Sequence, residues 1–460
     1  MFGDAFAAHA DRPCLIDGER TVSYADALAL GRSLIAGLQR QRAFVVLRCS
    51  LSIEAVAAYA ALVVDGHVPL LLETDLSREL LEQMVQLYRP DAVIDPLAGG
   101  AAPGPGASDP VPLHSDLGVL LTTSGSTGSP KLVRQKASGV RANAASIAAY
   151  LQLGPDERPL LHLPMSYSYG LSIIHSHLVA GASICLTRRS VMEPDYWNDL
   201  RRVQATSVSG VPFHYTAIRR LGEARLDIPS LTTLTQAGGR LDPKLTAYFA
   251  EWANRTGRRF VVMYGQTEAG PRIAYLPPDK ALAAPDAIGV PIPGVQIDLV
   301  DENGRPVADG QPGEMVVRSP AVMMGYALQP ADLALGDTLG GALHTGDLAA
   351  LGEDGLLRVV GRRSRMLKIY GLRINLEEIE QRLAGLGHAA LCFGEDDKLR
   401  VLVEGHGDAS DIRKRIVDLF SLPPRGIEVR LGPAAARSAS GKISAAALQQ
   451  AWDAASPPTL

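Results

Sequence analysis

Apolar and polar positions alternate in short blocks through the first three quarters of the chain, a pattern that favours layered α/β architecture. The apolar run over residues 117–121 is typical of a buried strand, and residues 231–236 and 259–264 are predicted to form two more strands. Between the last two strands, Asp242 and Pro243 match a helix N-cap followed by proline at the first helical position. We therefore predict a helix that begins there.

Two later stretches differ from this pattern. Residues 295–318 are predicted to form antiparallel strands, with Asn303-Gly304 as a hairpin turn. Residues 95–112 are rich in glycine, alanine and proline, and we expect them to form an exposed connector.

The character of the sequence changes near residue 362, where a basic segment leads into a compact region. There, Asn375 and Glu378 are typical of a capping box that opens a helix, and short strands and two further helices follow. We therefore predict two domains, a large α/β domain over residues 1–362 and a small α+β domain over residues 363–460.

Composition limits the function. The chain has 460 residues, of which 47% are hydrophobic, so it can bury large cores. Its formal charge of -4 and the lack of basic blocks argue against nucleic-acid binding. The four cysteines have no paired spacing, the N-terminus lacks a secretory pattern and no apolar run is long enough to span a membrane. We expect a cytoplasmic enzyme.

The strongest chemical signal is the segment TTSGSTGSPK, which follows the first predicted strand. Glycine lets backbone N–H groups approach phosphate oxygens, and serine and threonine add donors. The spacing differs from that of the common P-loop. A flexible linker is the alternative, but the strand before the segment favours a nucleotide site. Its candidate ligand-binding residues are Thr123, Ser124, Gly125, Ser126, Thr127, Gly128 and Lys131.

Four further segments carry similar chemistry. Residues 264–268, YGQTE, follow a predicted strand, at the edge where α/β sheets bind ligands. An aromatic ring there can stack on a base, a threonine hydroxyl can bind phosphate and a carboxylate can bind Mg²⁺. Asp347, after a glycine, is suited to accept hydrogen bonds from ribose hydroxyls. Arg362 and Arg373 can bind phosphate, and Lys442 lies in a loop of small residues.

Taken one at a time, these segments are common turns and tails, but all five in this order resemble the adenylate-forming superfamily. That superfamily comprises acyl-CoA synthetases, nonribosomal peptide adenylation domains and luciferase. The resemblance implies a large layered α/β domain with a distorted β-barrel portion and a small, mobile α+β domain. It also implies a two-step reaction, in which a carboxylate and ATP form an acyl adenylate, and a thiol then displaces AMP.

The resemblance also implies roles for individual residues. Lys442, Thr267 and Glu268 are catalytic, and Glu268 binds Mg²⁺. The β- and γ-phosphates lie against residues 123–128 and Lys131. The other implied ATP-binding residues are Gly238, Gly239, Arg240, Tyr264, Gly265, Gln266, Asp347, Arg362 and Arg373. For Arg240, helix capping is the alternative. The small domain rotates between the two steps, and Lys368, Tyr370 and Gly371 then flank the thiol channel of CoA or phosphopantetheine.

The acyl pocket is implied by the same motifs. Its candidate residues are Tyr167, Ser168, Val211, Phe213, His214, Gln236, Gly238, Gln266 and Ala269. Amino-acid-activating relatives have an aspartate where this chain has Ser168, which argues against an ordinary α-amino acid. A β-amino acid anchored elsewhere stays open. The mixed sizes of the pocket residues fit a small, aryl or hydroxylated acid as well as a fatty chain.

Three classes of function remain. The first is an acyl ligase that uses CoA or an acyl or peptidyl carrier protein, with a stand-alone enzyme that loads an unusual amino acid onto a carrier as its alternative. The second is luciferase-like oxidation, and the third is a non-catalytic binding protein. The retention of Thr267, Glu268, Asp347 and Lys442 together favours the first. Arg363, Arg365 and Arg373 fit either thiol acceptor.

Overall fold

The computed structural model describes residues 1–98, 100–122, 131–369, 372–405, 407–420, 422–437 and 443–456. It does not describe the side chains of residues 364, 366, 368, 372, 373, 375, 377 and 381.

The chain forms two compact units. The large unit comprises Met1–Thr123, Ser129–Ile297 and Val317–Leu343, and the small unit comprises the remaining segments, among them Asp298–Val316 and His344–Leu460. Two segments before residue 363 therefore group with the C-terminal region. The single boundary after residue 362 stays a prediction.

Helices occur in both units. Their bounds are α1 Gly3–Ala8, α2 Tyr24–Ile35, α3 Ile53–Val64, α4 Arg78–Tyr88, α5 Ala137–Leu151, α6 Ser168–Ala180, α7 Pro194–Arg202, α8 Pro212–Leu221, α9 Pro243–Thr256, α10 Leu376–Gly385, α11 Ala409–Phe420 and α12 Ala445–Ala454.

The strands are short. Their bounds are β1 Pro13–Asp17, β2 Arg20–Ser23, β3 Phe44–Cys49, β4 Val68–Glu73, β5 Ala92–Asp95, β6 Gly100–Pro103, β7 Leu117–Thr122, β8 Leu132–Lys136, β9 Pro159–Leu161, β10 Ile184–Leu186, β11 Ser207–Gly210, β12 Thr233–Gln236, β13 Arg259–Tyr264, β14 Ala274–Leu276, β15 Val290–Pro291, β16 Gln296–Val300, β17 Gly313–Arg318, β18 Tyr326–Ala327, β19 Ala342–Leu351, β20 Leu357–Arg362, β21 Met366–Ile369, β22 Leu372–Asn375, β23 Ala390–Glu395, β24 Lys398–Glu404 and β25 Ile427–Gly432.

The large unit contains two sheets. The nine-stranded sheet has the order β15-β14-β13-β12-β11-β9-β10-β1-β2, and β13, β12, β11, β9, β10 and β1 are parallel. The seven-stranded sheet has the order β18-β8-β7-β4-β3-β5-β6. Helix α3 is buried from Ile53 to Val63 apart from Glu54, as expected for a helix that is apolar on all faces. The parallel strands of the first sheet bring the ends of β11, β12 and β13 to one edge.

The small unit contains three smaller sheets. Their orders are β16-β17-β19-β20, β21-β22 and β23-β24-β25. The first lies in the region where antiparallel strands were predicted, and the tight turn at Asn303-Gly304 is present, since the Asp301 N–H donates to the Arg305 carbonyl at 2.8 Å. The distorted barrel stays a prediction. Ile379 and Leu383 of α10 are fully buried in the core of the small unit, while the capping box of Asn375 and Glu378 stays a prediction.

One expectation needs correction. Residues 95–112 are not exposed throughout, because β6 within them pairs antiparallel with β5 and Val111 is buried. The high content of glycine and alanine obscured this edge strand, since short side chains give no alternating apolar pattern. Among the described residues, no helix is both long and apolar enough to cross a bilayer.

Helix α6 contains two buried histidines, His175 and His177. The Tyr59 hydroxyl lies 2.6 Å from Nε2 of His175, and Nδ1 of His177 lies 2.8 Å from the Ile173 carbonyl. Burial lowers the pKa of His175 to about 3 and that of His177 to about 4. Within the described part of the chain, no cluster of three metal-ligating side chains occurs. Both residues thus act as neutral core groups.

The N-cap of α9 provides a first test. The Asp242 carboxylate accepts the Lys244 N–H at 2.7 Å, so Asp242→Ala leaves a helix-terminal donor without its partner. We expect it to lower the free energy of unfolding by about 1 kcal/mol in urea denaturation followed by circular dichroism. Asp242→Asn, which keeps an acceptor, should retain most of the stability. Equal loss in both variants would contradict the capping role.

His175 provides a second test. The pKa of His175 is about 3 in the folded chain, whereas histidine in an unfolded chain has a pKa of about 6.5. Between these two pH values, the unfolded chain binds a proton at this histidine and the folded chain does not. This histidine should therefore lower the free energy of unfolding by about 2 kcal/mol as the pH falls from about 7 to about 5. We expect His175→Gln to be less stable at neutral pH and to show a shallower pH dependence in urea denaturation. The half-buried His388→Gln serves as the control, and an unchanged pH slope in His175→Gln would refute the burial account.

Candidate active site

The loop after β13 is folded tightly upon itself. The Ile273 N–H donates to the Tyr264 carbonyl at 2.7 Å, which closes the loop. A Cβ atom on Gly265 would lie 2.2 Å from the Pro271 carbonyl oxygen, so only glycine allows this closure. The loop contains a short 3₁₀ helix over Thr267–Ala269. Two polar side chains, Thr267 and Glu268, are thereby placed next to each other at the end of a parallel strand.

Thr267 is held from two sides. The Gln135 amide donates to the Thr267 carbonyl at 2.6 Å, and the hydroxyl oxygens of Ser168 and Thr267 are 3.0 Å apart. Ser168 is the first residue of α6. The two hydroxyl groups therefore form one polar patch, which can donate to an anionic oxygen.

Glu268 is held by a residue that the sequence analysis did not identify. The Tyr326 hydroxyl donates to Glu268 Oε1 at 2.8 Å, and the Lys131 ammonium lies 4.1 Å from the centre of the Tyr326 ring. Burial and the adjacent Glu268 raise the pKa of Tyr326, so its hydroxyl remains a donor at neutral pH. One carboxylate oxygen is thus fixed, which orients the other to bind a cation.

The turn after β12 contacts the predicted pocket gate. Gly238 has a φ of +83°, and a Cβ on it would lie 2.2 Å from the Tyr167 hydroxyl oxygen and 3.1 Å from Cγ1 of Val211. The fully buried Gln236 supports this turn, because its amide nitrogen donates to the Gly239 carbonyl at 2.9 Å. The structure therefore brings together Tyr167, Val211, Gln236 and Gly238, as predicted for one pocket wall.

The other predicted pocket residues differ in environment. Nδ1 of His214 accepts the Val211 N–H at 3.1 Å, and burial lowers its pKa to about 4, so it is neutral. Phe213 is 55% exposed, whereas Ala269 is fully buried with Val133. Contact of Phe213 and Ala269 with the substrate therefore stays a prediction.

Gln266 and Arg240 also differ in their surroundings. Nε2 of Gln266 is buried and has no hydrogen-bond partner among the described residues. Arg240 is exposed, and Asp242 provides the cap of α9. Binding of ATP by Arg240 stays a prediction.

An enclosed cavity of about 30 Å³ adjoins Thr267. A water molecule requires about 10–15 Å³ on this measure, so the cavity is suited to a small group unless its walls move. Its lining is mixed, with apolar side chains from β7 and α5 and polar ones from α6. The polar or small lining residues are Gln135, Asn143, Ala144, Ser168, Ser172, His175, Thr267, Gly270 and Ala321. Ser172, His175 and Gly270 were not predicted, because nothing in a single helix or loop shows which face meets a cavity.

In the small unit, the predicted ribose-binding residue is fixed. The Arg362 guanidinium donates to the buried Asp347 carboxylate, and Asp347 and Arg362 are paired across β19 and β20. The Asp347 N–H donates to the Thr345 hydroxyl at 3.1 Å. Arg362 therefore orients Asp347 in this structure, while its predicted contact with phosphate stays untested.

Several predicted residues lie outside the described residues. They are Thr123, Ser124, Gly125, Ser126, Thr127, Gly128, Tyr370, Gly371 and Lys442. The side chains of Lys368 and Arg373, in β21 and β22, are likewise not described. The predicted roles of all these residues stay predictions.

The chain is similar in sequence to known enzymes. The family model described as AMP-binding enzyme matches residues 2–327. A long-chain-fatty-acid–CoA ligase of Escherichia coli O157:H7 is 30% identical over 308 residues, which cover 62% of this chain and 53% of the ligase. A feruloyl-CoA synthase of Amycolatopsis is 32% identical over 284 residues, 60% of this chain and 56% of the synthase. The chain spans about half the length of the curated relatives it matches.

The fold is also found among solved structures. The o-succinylbenzoate CoA synthetase MenE of Bacillus subtilis, in complex with its acyl-adenylate intermediate, superposes with a TM-score of 0.78 at 20% identity, over 100% of this chain and 99% of MenE. This likeness confirms the mixed α/β fold. With the match over residues 2–327, it confirms the resemblance inferred from the five segments, and the chain belongs to the AMP-binding enzyme family of adenylate-forming enzymes.

Proposed function

We propose that this protein couples a carboxylic acid to AMP at the expense of ATP and then transfers the acyl group to a pantetheine thiol. The observation that carries the proposal is the loop after β13, where hydrogen bonds hold Thr267 and Glu268 side by side. The names of the relatives, CoA ligase and CoA synthase, support the same reaction.

The first step joins two anions, so their charges must be neutralised before a carboxylate oxygen can attack the α-phosphate. Glu268 fits the implied Mg²⁺, because a carboxylate is a hard oxygen ligand and the Tyr326 hydroxyl fixes its orientation. Bound there, the metal would neutralise phosphate charge. The hydroxyl groups of Thr267 and Ser168 would donate to the α-phosphate and to the substrate carboxylate.

Other residues would position the nucleotide. Tyr264 and the turn at Gly238 would line the adenine slot, and the Asp347 carboxylate, oriented by Arg362, would accept hydrogen bonds from the ribose hydroxyls. Residues 123–128 and Lys131 would bind the β- and γ-phosphates. Lys442 would stabilise the charge that develops between the substrate carboxylate and the α-phosphate.

For the second step, rotation of the small domain would replace Lys442 with the thiol channel around Lys368, Tyr370 and Gly371. The acceptor would be CoA or the phosphopantetheine arm of a carrier protein. A cytoplasmic location is part of the same proposal.

A second candidate is adenylation of an unusual amino acid for loading onto a carrier. The Ser166 hydroxyl donates to Glu73 at 2.8 Å, which places a carboxylate next to the residue that precedes the gate Tyr167. Burial raises the pKa of Glu73, and a substrate ammonium would favour its ionised form. This acid is remote from Ser168 in sequence, so the lack of an aspartate at that position does not decide the question.

The direct experiment is ATP–pyrophosphate exchange over a panel of simple carboxylic acids and β-amino acids. Acid-dependent exchange supports the proposal, and β-amino acids alone as substrates would favour the second candidate. Thioester formation with CoA, compared with a phosphopantetheinylated carrier protein, then identifies the acceptor. Absence of exchange with every acid, although ATP binds, would favour a non-catalytic family member.

Lys442→Ala tests the division of labour between the two steps. Loss of its charge should slow acyl-adenylate formation by on the order of 10²–10³. Transfer to thiol from a chemically prepared acyl adenylate should be largely unaffected, because Lys442 leaves the site before that step. Single-turnover assays of each half-reaction measure this, and equal loss in both would argue against domain rotation.

Tyr326→Phe tests how Glu268 is oriented. Without the hydroxyl, Glu268 loses a hydrogen bond to a charged group, which is worth about 1.5–3 kcal/mol. We expect the Mg²⁺ concentration for half-maximal exchange to rise about tenfold or more. Tyr88→Phe is the matched control, because its hydroxyl donates to the carbonyl of Ala327, the residue after Tyr326, at 2.8 Å. An equal effect of both substitutions would indicate a general loss of packing.

A further inference from the structure

Arg272 is a buried cation for which the described residues provide no carboxylate partner. It follows the loop that carries Thr267 and Glu268, and it is 1% exposed. Its Nη1 donates to the Ser172 hydroxyl, its Nε contacts the Met263 sulfur at 3.3 Å and its guanidinium lies 4.2 Å from the centre of the Tyr169 ring. All these partners are uncharged.

The described helices and strand that pack around Arg272 contain no acidic residue, and Glu268 in the preceding loop accepts from Tyr326 instead. Helices α5 and α6 and strand β13, which provide Tyr150, Tyr169, Ser172 and Met263 around Arg272, have neither aspartate nor glutamate. None of the ion pairs among the described residues includes Arg272. The two histidines of α6 are neutral, and the positive charge of Arg272 helps to lower the pKa of His177.

Arg134 shows how the same fold provides partners for another buried arginine. Its guanidinium donates to the backbone carbonyls of Met324, Leu335 and Gly336. Asp332 and Asp337 lie close enough to favour its charge. Arg272 has neither type of compensation, although an unbalanced buried charge costs several kcal/mol.

The uncompensated charge lies next to the cavity of the candidate active site. Ser172, which accepts from Arg272, lines that cavity together with Ser168 and Thr267. Ser168 and Ser172 are four residues apart on α6, so their side chains lie on the same face, about 6 Å apart along the axis. The charge of Arg272 also reaches the hydroxyl of the gate Tyr167.

We propose that Arg272 is a substrate-binding residue that pairs with a second carboxylate, so that the acid activated here is a short dicarboxylic acid. This inference rests on the proposed function. One carboxylate would lie against Thr267 and Ser168, where the adenylate forms. The other would lie one helical turn deeper, at Ser172 and Arg272, in contact with the guanidinium. The small volume of the cavity, about 30 Å³, favours a short chain between the two carboxylates.

The test compares acids that differ only in the distal carboxylate. ATP–pyrophosphate exchange by the wild-type protein is measured with succinate and propionate, glutarate and butyrate, and aspartate and β-alanine. The inference requires that the diacid of at least one pair exceed its partner in kcat/KM by on the order of 10²-fold. If each monoacid reacts as well as its diacid partner, the inference about Arg272 is wrong. Exchange with the monoacids would still support the proposed function. No exchange with any acid, including longer and aromatic ones, would contradict the proposed function itself.

Substitutions then test whether Arg272 causes the preference for diacids. Arg272→Met should abolish the selectivity for the diacid, mainly through KM, and Arg272→Lys should restore part of it because the charge returns. Arg134→Met is the control for loss of a buried arginine and should leave the ratio of diacid to monoacid unchanged. Thermal unfolding identifies any variant that does not fold. The comparison of diacids with monoacids uses only the wild-type protein, so it remains valid if a variant fails to fold. A preference for diacids that persists in Arg272→Met would overturn the assignment.

Discussion

The candidate active site depends on one hydrogen bond between two distant parts of the chain. The hydroxyl of Tyr326 donates to the Glu268 carboxylate, and it joins β18, at the edge of one sheet, to the loop that follows β13 in the other. The Gln135 amide and the Ser168 hydroxyl bind the neighbouring Thr267 in the same way. In the proposed function this carboxylate orients a cation and this hydroxyl donates to a phosphate, and these contacts restrict the rotation of both side chains.

Each of the two units contains charged side chains whose partners are described. Glu268 is compensated by a hydroxyl donor, Asp347 by Arg362 and Arg134 by backbone carbonyls. Arg272 stands apart, since the groups around it are a hydroxyl, a sulfur and an aromatic ring. This difference between Arg272 and the other buried charges of the described residues is the basis of the proposal that Arg272 pairs with a ligand carboxylate.

Much of this could be predicted from the sequence. The bounds of β13 match the prediction, Asp242 caps α9 and Asn303-Gly304 forms a turn, because each depends on local chemistry that the residues themselves show. The resemblance to a family placed Tyr167 and Gly238 in one predicted pocket, and the structure brings these two residues close together.

The rest required tertiary structure. Tyr326 and Arg272 belong to no recognisable motif. Tyr326 binds Glu268, 58 residues away in the chain, and Arg272 binds Ser172, 100 residues away. The only local signal for Arg272 was an arginine in an otherwise apolar strand-like segment. The edge strand β6 was missed since its small side chains give no alternating pattern.

The measurement that tests the central claim most directly is a crystal structure of the protein with a non-hydrolysable ATP analogue and Mg²⁺. We expect the metal about 2.0–2.1 Å from a Glu268 carboxylate oxygen, with the Tyr326 hydroxyl still on the other oxygen and the α-phosphate next to Thr267. A nucleotide bound away from the loop after β13, or a metal held without Glu268, would contradict the account.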